Sequence, residues 1–533
     1  MSPIQFNPAT SEITVSGAPL ALWHNTRRYL CLDSAMSWLL PRAIFLRALG
    51  IIGLLAFLSW GTDTMGLIGP DGIWPVWQYL GMSVENAGTL GKFFGEPTLF
   101  WLSTAPWMIY LVVWGGCVAS TALALNVFPR GATVIAWMCW ISLVAIPIPP
   151  ARCTPLERFT AELLFLAIFV APKGFRPGLG ASSPPSRPPI FVLRISLLKL
   201  MLVSGLSKFF SGDPLWRSFT AMDHMVETAP FPSLIGFYLH HLPHAYHVGE
   251  TCLMIGAEII SPLLLIFGGP RAKVFALATW VLFQAGIAVS ASFGWLNLTA
   301  VVLAVVILDD DFLRRYFRRV SPATSPTTRP ALSAVSRIKA WLVIALMSLS
   351  LISSVVQSLP IFFGVGPDFP DSIKAVAQFL SPAMIGVPLS IYSQLSSIRP
   401  HALIEGSNDG GKTWRAYRYR ILPQDLEALA PYNAPFAARF DAIIYIVEGG
   451  AAWNSGVLQT LSPKLLGGRP EILALFRENP FPDRPPDSLR IGVFEYSFVD
   501  LETHRKTGNI WTRKYIGEPF PTLHLNRDSG AIY

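Results

Sequence analysis

The chain has 533 residues, of which 52% are hydrophobic and only 14% charged, and its formal net charge is +8. Soluble domains carry about a quarter charged residues, so this composition excludes an ordinary soluble protein and indicates a surface that largely faces lipid. The positive charge lies in short basic stretches between apolar runs, which argues against nucleic-acid binding.

The chain begins with residues 1–42, which carry no pattern of a cleaved signal peptide and are predicted to be an N-terminal cytoplasmic segment. Nine apolar runs follow that reach, or nearly reach, the roughly 20 residues needed to cross a bilayer. These predicted spans cover 43–60, 106–124, 131–149, 158–171, 190–210, 250–268, 272–290, 293–308 and 338–360.

The loops between the spans predict the orientation and the domains. Basic residues collect in alternate loops, which are therefore predicted to be cytoplasmic, and nine spans then put the C-terminus outside. The predicted domains are spans one to four at 43–171, a proline-rich flexible linker at 172–189, spans five to eight at 190–310 with an outer loop at 211–249, a basic cytoplasmic linker at 311–337, span nine at 338–360 and a tail domain at 385–533.

The tail is predicted to be an extracytoplasmic β-rich domain, either α+β or a β-sandwich. "HALIEGSNDGGKTWRAYRYRIL" has the alternation and turn residues of a hairpin, whereas "PKLLGGRPEILALFREN" has helical spacing. Strands are also predicted for "DAIIYIVEGG", "RIGVFEYSFVD" and "GNIWTRKYIG". The whole fold class is thus a polytopic α-helical membrane protein with about nine transmembrane helices and this tail.

Ionisable residues inside the spans are the first candidates for a site. Lys199 lies near the middle of span five, where an unpaired charge costs at least about 2.5–3.5 kcal/mol. Glu162 and Glu258 are the carboxylates at the nearest depth. A structural ion pair and a functional pocket both remain open.

The outer end of span five and the loop after it form a polar cluster. Lys208 is interpreted either as a lysine that extends to the headgroups or as a base or nucleophile activated by burial. Asp213, His224 and Glu227 are candidates to assist it in catalysis, and Trp216, Arg217 and Asp223 are candidates for a binding loop.

Histidines are concentrated further along this loop. His240, His244 and His247 would share one helical face, but Pro243 interrupts such a helix and no zincin pattern is present. The five cysteines of the chain form no CxxC pair. We therefore predict no metal site and no cofactor, and we assign His240 and His241 to the binding loop.

Several blocks of sequence resemble one known family. "GDPLWRSFTAMDHMVETAPFPSLIGFYLHHLP" resembles the signature segment of the lipase maturation factor family, and "GLIGPDGIWP" and "WTRKYIGEPFPTL" resemble further parts in the same order. The chain departs from the family at Leu156-Glu157, where a Trp-Glu pair is common, and its tail lacks the cysteines of animal members.

This resemblance implies a membrane-embedded factor that helps exported lipases or other secreted proteins to mature. Its implied partners are membrane lipids and such a client, and nucleic acid is not among them. The implied location is the endoplasmic reticulum membrane in a eukaryote or the inner membrane in a bacterium, with the soluble domain in the folding compartment.

A shorter resemblance implies an alternative function. Gly205-Leu-Ser-Lys208 followed by Trp216 is similar to the membrane core of the vitamin K-dependent gamma-carboxylase and its horizontally transferred transmembrane relatives. In those proteins a lysine at the matching position acts as the base toward a hydroquinone. The alternative is therefore a membrane enzyme that acts on a quinone or lipid, with Lys208 as its base.

Overall fold

The computed structural model describes most of the chain, and every structural statement below refers to these described residues. They are residues 5–7, 12–14, 18–32, 36–84, 92–93, 95–146, 154–316, 334–363, 369–386, 388–449 and 456–533.

Helices make up most of the structure. Several begin with proline, which fits the first helical position because its missing N–H would have no intrahelical partner there. In chain order they are α1 Ala18–Tyr29, α2 Leu39–Gly61, α3 Thr64–Ile68, α4 Val76–Val84, α5 Pro106–Ala124, α6 Pro129–Val144, α7 Pro155–Val170, α8 Arg187–Phe210, α9 Pro214–Arg217, α10 Ala221–Met225, α11 Leu234–His240, α12 His244–Phe267, α13 Pro270–Ser290, α14 Leu296–Ile307, α15 Asp310–Tyr316, α16 Ala334–Phe363, α17 Asp371–Leu380, α18 Arg439–Glu448, α19 Val457–Leu466, α20 Pro470–Leu473 and α21 Leu501–Thr507.

Each of the nine predicted apolar runs contains a helix within its described residues, but these helices differ in length. Among the described residues, α2, α5, α8, α12, α13 and α16 are long and apolar enough to cross a membrane. Helices α6 and α7 have 16 residues each, and α14 is shorter still. At 1.5 Å per residue, 16 residues measure about 24 Å, which is less than the roughly 30 Å of a hydrocarbon core.

The bundle has two distinct ends. At the first, which we call the basic end, α1 contacts the ends of α12 and α14. Asn25 donates a hydrogen bond to the carbonyl of Phe267 (3.1 Å), and Arg28 pairs with Asp309 (2.6 Å). At the opposite end, which we call the tail end, the loop 211–249 packs against the C-terminal domain. Successive apolar helices run alternately from one end to the other.

The C-terminal domain is α+β, which selects one of the two predicted alternatives. Its antiparallel sheet has the order β4-β3-β5-β6, with β7 beside the start of β5. A separate two-stranded antiparallel pair, β1 with β2, lies near the N-terminus. The strands are β1 Gln5–Asn7, β2 Glu12–Thr14, β3 Arg399–Ser407, β4 Arg415–Ala416, β5 Ser488–Phe498, β6 Trp511–Gly517 and β7 Leu523–His524.

The hairpin and two of the three predicted strands are confirmed, while the third is wrong. Strands β3 and β4 pair around the predicted turn, with Glu405 opposite Ala416. In contrast, "DAIIYIVEGG" forms α18, because Phe440, Ile444 and Val447 recur at helical spacing and bury one face. Packing of that face overrides the strand preference of β-branched residues.

Two predicted linkers also require comment. Residues 172–186 form no regular element, as their proline and glycine content predicts, but they are not a free connection. The buried Arg42 guanidinium donates hydrogen bonds to the carbonyls of Gly180 (3.0 Å) and Ser183 (2.7 Å). Most of the second predicted linker, residues 317–333, lies outside the described residues.

Candidate functional site

The polar cluster at the end of α8 is organised around a buried ion pair. The Nζ atom of Lys208 lies 2.7 Å from Oε2 of Glu258 and donates a second hydrogen bond to the Ser204 carbonyl (3.1 Å). It also lies 5.4 Å from the ring centroid of Trp216. Because Lys208 is only 3% exposed, it points into the bundle and does not extend to the headgroups.

A local irregularity in α12 presents Glu258 to α8. Residues Gly256–Ile260 form a π-helical turn, and Pro262 follows with no N–H to donate to the carbonyl of Glu258 four residues earlier. Turns of this kind often occur at functional sites. On the facing helix, Gly205 allows close approach, since a Cβ atom there would lie 2.8 Å from Cβ of Glu258.

A mostly apolar cavity of about 250 Å³ adjoins this ion pair. Helices α8, α12, α13 and α14 form its walls, and Tyr392 from the segment before β3 contributes to its boundary. Met222 and Met225 of α10, in the loop 211–249, close it toward the tail end. The pair and the cavity together form the candidate site.

The first residues of the loop hold it to the segment before β3. Asp213 accepts hydrogen bonds from the backbone N–H groups of Leu215 and Leu395, both at 2.7 Å. Trp216, expected on a binding surface, is fully buried and donates to the Tyr392 carbonyl (3.0 Å). Arg217, by contrast, is exposed.

The acidic residues of the loop also have structural partners. Asp223 pairs with His244 (3.0 Å), and Glu227 accepts the backbone N–H of Phe498 on β5 (2.6 Å). Burial raises the pKa of Glu227 against the opposing effect of that hydrogen bond. His224 is half-buried on α10. Among the described residues no hydrogen bond or ion pair joins Lys208, Asp213, His224 or Glu227 to one another.

The histidines are separated by the break at Pro243, as predicted, and each has different surroundings. His241 bonds through both ring nitrogens, to the Phe237 and Val499 carbonyls, each at 2.8 Å. His240 packs on the ring of Phe498, and burial lowers its pKa to about 4. In the part of the chain that the structure describes, no group of three potential ligands could hold a metal ion.

The second buried pair joins Lys199 to Glu162. Their closest atoms are 2.7 Å apart, and Lys199 also donates to the Ser354 hydroxyl on α16 (3.0 Å). Ser196 donates to the same glutamate (3.0 Å). Of the two carboxylates expected near Lys199, Glu162 is therefore its partner, whereas Glu258 belongs to Lys208.

Two comparisons with protein families match this arrangement of membrane bundle and tail. The model described as the lipase maturation factor transmembrane domain matches residues 40–315, and the model of the lipase maturation factor C-terminal domain matches residues 389–521. The chain belongs to the lipase maturation factor family. It is accordingly a membrane protein, and its candidate site lies in the first of these two regions.

Individual family members match over nearly the whole chain. Lipase maturation factor 1 of Mus musculus is 26% identical, with 93% of this chain and 88% of the relative covered. Lipase maturation factor 1 of Homo sapiens is 26% identical, with 93% and 89% covered. Lipase maturation factor 2 of Homo sapiens is 25% identical, with 91% and 83% covered. No solved structure matches, and the comparisons give no support to the carboxylase-like alternative.

Besides Arg42, three further buried arginines in this family member were not identified as site residues from the sequence. Arg194 donates to the carbonyls of Tyr29 and Val306 at the basic end. Arg399 on β3 donates to the Pro230 carbonyl (3.0 Å) and, at shorter range, to that of Ala229. Sequence reasoning missed them because arginine is usually exposed, and only the fold supplies the carbonyl groups that accept their hydrogen bonds.

Arg439 is the last of these three further arginines, and it lies where the tail meets the bundle. It pairs with Glu157 of α7, and its guanidinium carbon lies 4.1 Å from the ring centroid of Trp60 and 5.8 Å from that of Trp295. Guanidinium groups bind aromatic faces well because they are planar and weakly hydrated. Glu157 follows Leu156, the position noted above as a departure from the family pattern. Its pair with Arg439 helps to hold the tail domain on the bundle.

Proposed function

We propose that this protein is a membrane factor that assists the folding or maturation of exported lipases or other secreted proteins. The observation that carries the proposal is the match of both family domains, in order, to one chain whose relatives are named lipase maturation factors. The contacts of the buried Lys208 with Glu258 and with the Ser204 carbonyl support a structural role for this lysine.

The proposed topology has nine crossings, with the N-terminus in the cytoplasm and the tail domain on the other side. The alternation of the apolar helices between the basic end and the tail end supports it. So does the distribution of basic loops, which follows the positive-inside rule. In this topology the domain limits are those predicted from the sequence. The short helices α6, α7 and α14 cross the membrane together with residues that flank them.

In this proposal the tail domain receives the client while it is bound to the membrane bundle. Asp63, just after α2, accepts the backbone N–H groups of Arg439 (3.1 Å) and Phe440 (3.2 Å), which begin α18, and it pairs with Arg420 (2.5 Å). A carboxylate at a helix N-terminus is favourable because the free N–H groups and the helix dipole attract it. Asp63 therefore couples the membrane part to the domain that would receive a client.

The test is co-expression with an exported lipase from the same organism. We expect the specific activity of the secreted lipase to fall when the chain is omitted. We expect it to fall also when the chain carries Asp63→Ala. Asp71→Ala is the matched control, because Asp71 is exposed and lies 3.7 Å from Arg469 of the tail. Lipase activity is divided by the amount of folded factor, so that loss of folding does not imitate loss of function. Unchanged activity without the chain would refute the proposal.

A further inference from the structure

The cavity beside Lys208 contains two side chains whose hydrogen-bonding capacity is not used. Gln284 on α13 and Asn297 on α14 both line it, and they are only 6% and 7% exposed. Neither carboxamide has a hydrogen-bonding partner among the described residues. Each can donate two hydrogen bonds and accept two.

Buried polar groups without partners are rare because each costs free energy comparable to a lost hydrogen bond. Inside a membrane bundle the free-energy cost of an unpartnered polar group is not relieved, because no bulk water is available as a substitute partner. Two such carboxamides facing one cavity therefore indicate an occupant that offers both donors and acceptors.

Two side chains that line the cavity also reach the outer surface of the bundle. Tyr246 and Leu253 of α12 line the cavity and are exposed at the outer surface of the bundle. They are seven residues apart, which is two helical turns, so they lie on the same face of α12. Because α12 and α13 are both candidate membrane helices, this part of the bundle surface would face lipid when the chain is in a membrane.

The size of the cavity limits what can enter. Its volume of about 250 Å³ exceeds the roughly 150 Å³ of an engineered cavity that takes up benzene. It is below the roughly 300–1,000 Å³ of sites that enclose a whole drug-sized ligand. It would therefore hold the polar end of a lipid and the first part of one chain, and the remainder would leave between the helices.

The charges around the cavity indicate an uncharged head group. Glu258 lies 2.7 Å from the Nζ atom of Lys208, and Glu250 at the rim lies 2.9 Å from Nδ1 of His247. An anionic or cationic head would disturb these pairs in a region where charge is poorly solvated. The carboxamide oxygens need donors, which hydroxyl groups supply and quinone carbonyls do not.

We propose that this cavity binds an uncharged membrane lipid with hydroxyl and ester-carbonyl groups, of the monoacylglycerol or diacylglycerol class. Gln284 and Asn297 bind the head group, and the acyl chain passes between Tyr246 and Leu253. This proposal rests on the membrane location of the chain and does not depend on its having a lipase client.

The test uses a photoreactive monoacylglycerol with a diazirine in its chain, added to the full-length protein in detergent. We expect labelling of peptides from α12 and α13, reduced about tenfold in the double variant Gln284→Leu with Asn297→Leu, which removes two neutral hydrogen-bonding groups. Gln78→Leu, at an exposed glutamine outside the cavity, is the control and should label as the unmodified protein does.

Two further measurements keep the proposal falsifiable if the double variant folds poorly. Lipids extracted from the purified unmodified protein should be enriched in acylglycerols relative to the surrounding membrane. Unlabelled diacylglycerol should compete for labelling, and a phosphatidylglycerol or a quinone should not. Equal competition by either of these lipids, absence of acylglycerol enrichment, or equal labelling of the folded double variant would overturn the proposal.

Discussion

At the residue scale, the notable feature is that buried charges are held by particular partners in this protein. Lys199 and Lys208 each pair with a glutamate on another helix at 2.7 Å. Arg399 donates hydrogen bonds to the carbonyl oxygens of Glu227 and Pro230. Breaking a buried pair is costly, although the intact pair adds little net stability compared with apolar residues.

A double substitution can distinguish a structural role of the Lys208–Glu258 pair from a chemical role. Lys208→Met or Glu258→Met alone should lower the free energy of unfolding by about 3–5 kcal/mol, because one buried charge is left unpaired. The double substitution should restore most of it. Thermal unfolding of the purified protein in detergent would measure this. A stable double variant that fails to support lipase maturation would contradict a purely structural role for Lys208.

A buried carboxyl in the tail predicts a specific pH dependence. Asp441 accepts the N–H groups of Ile421 and Leu422, each at 2.8 Å, and burial raises its pKa from 3.8 to about 6. The folded state therefore binds the proton more tightly than the unfolded state, so this group adds stability as the pH falls from about 6 toward 4.

We expect the unmodified protein to gain roughly 1 kcal/mol from this group between pH 7 and pH 5, since one pKa unit corresponds to about that free energy. Asp441→Asn keeps an oxygen for the two N–H groups but removes the titration, so the gain should disappear. Asp528→Asn, at an exposed position, is the control. The measurement is thermal unfolding of the full chain at both pH values, and an identical pH response in Asp441→Asn would contradict the assignment.

At the scale of elements, close contact between α8 and α12 depends on a residue without a side chain. A Cβ atom on Gly205 would lie 2.8 Å from Cβ of Glu258 and 2.9 Å from Cγ1 of Ile259. Such distances require the two helices to separate, which would also lengthen the ion pair beside the cavity.

The substitution Gly205→Ala should therefore destabilise the protein by about 1–3 kcal/mol through overpacking. Gly256→Ala is the matched control on the facing helix, because no heavy atom lies within 4 Å of its added Cβ. That control should be neutral or stabilising by up to about 1 kcal/mol, since alanine favours helix more than glycine does. If both variants had equal melting temperatures in detergent, close packing at Gly205 would not matter.

Arg399 on β3 is one of the links between the sheet and the loop after α8. Replacing Arg399 with Met should leave carbonyl groups of residues 227–230 without their hydrogen-bond donor. The free energy of unfolding should then fall by about 1–3 kcal/mol. Hydrogen exchange at those residues should then become faster. Arg490→Met is the control, because this partly exposed arginine pairs with Glu405 at 2.8 Å and such pairs contribute about 0–1 kcal/mol. Equal exchange in the two variants would exclude the proposed connection.

At the scale of the whole molecule, the structure separates a basic end from an end that carries the tail domain. Loss of the tail would expose the groups that now dock it, including Asp63 and Trp60, so the two parts are expected to be stable together. The orientation of this assembly in a membrane determines where a client could meet it.

Tags at the two termini would test the orientation directly. A tag after Tyr533 should be accessible to protease only from the extracytoplasmic side, and a tag before Met1 only from the cytosol. The expected result follows from the excess of Lys and Arg in the loops of the basic end. Accessibility of both tags from the same side would contradict nine crossings, because an odd number places the termini on opposite sides.

Much of the architecture could be predicted because the length of an apolar run in the sequence is enough to identify an apolar helix. Each of the nine runs contains a helix within its described residues, and Pro243 divides the histidine-rich segment as its missing N–H predicts. The family resemblance at "GDPLWRSFTAMDHMVETAPFPSLIGFYLHHLP" is likewise confirmed. What could not be predicted is which carboxylate pairs with which lysine, since Glu162 and Glu258 lie at similar predicted depths.

The sequence by itself determined the membrane class of this protein, the positions of its apolar helices and its family, because these depend on composition and on local order along the chain. Only the tertiary structure decided that Lys208 pairs with Glu258, that Asp213 and Glu227 anchor a loop, and that Gln284 and Asn297 face one cavity. These are contacts between residues distant in sequence, and their partners are set by how whole helices pack.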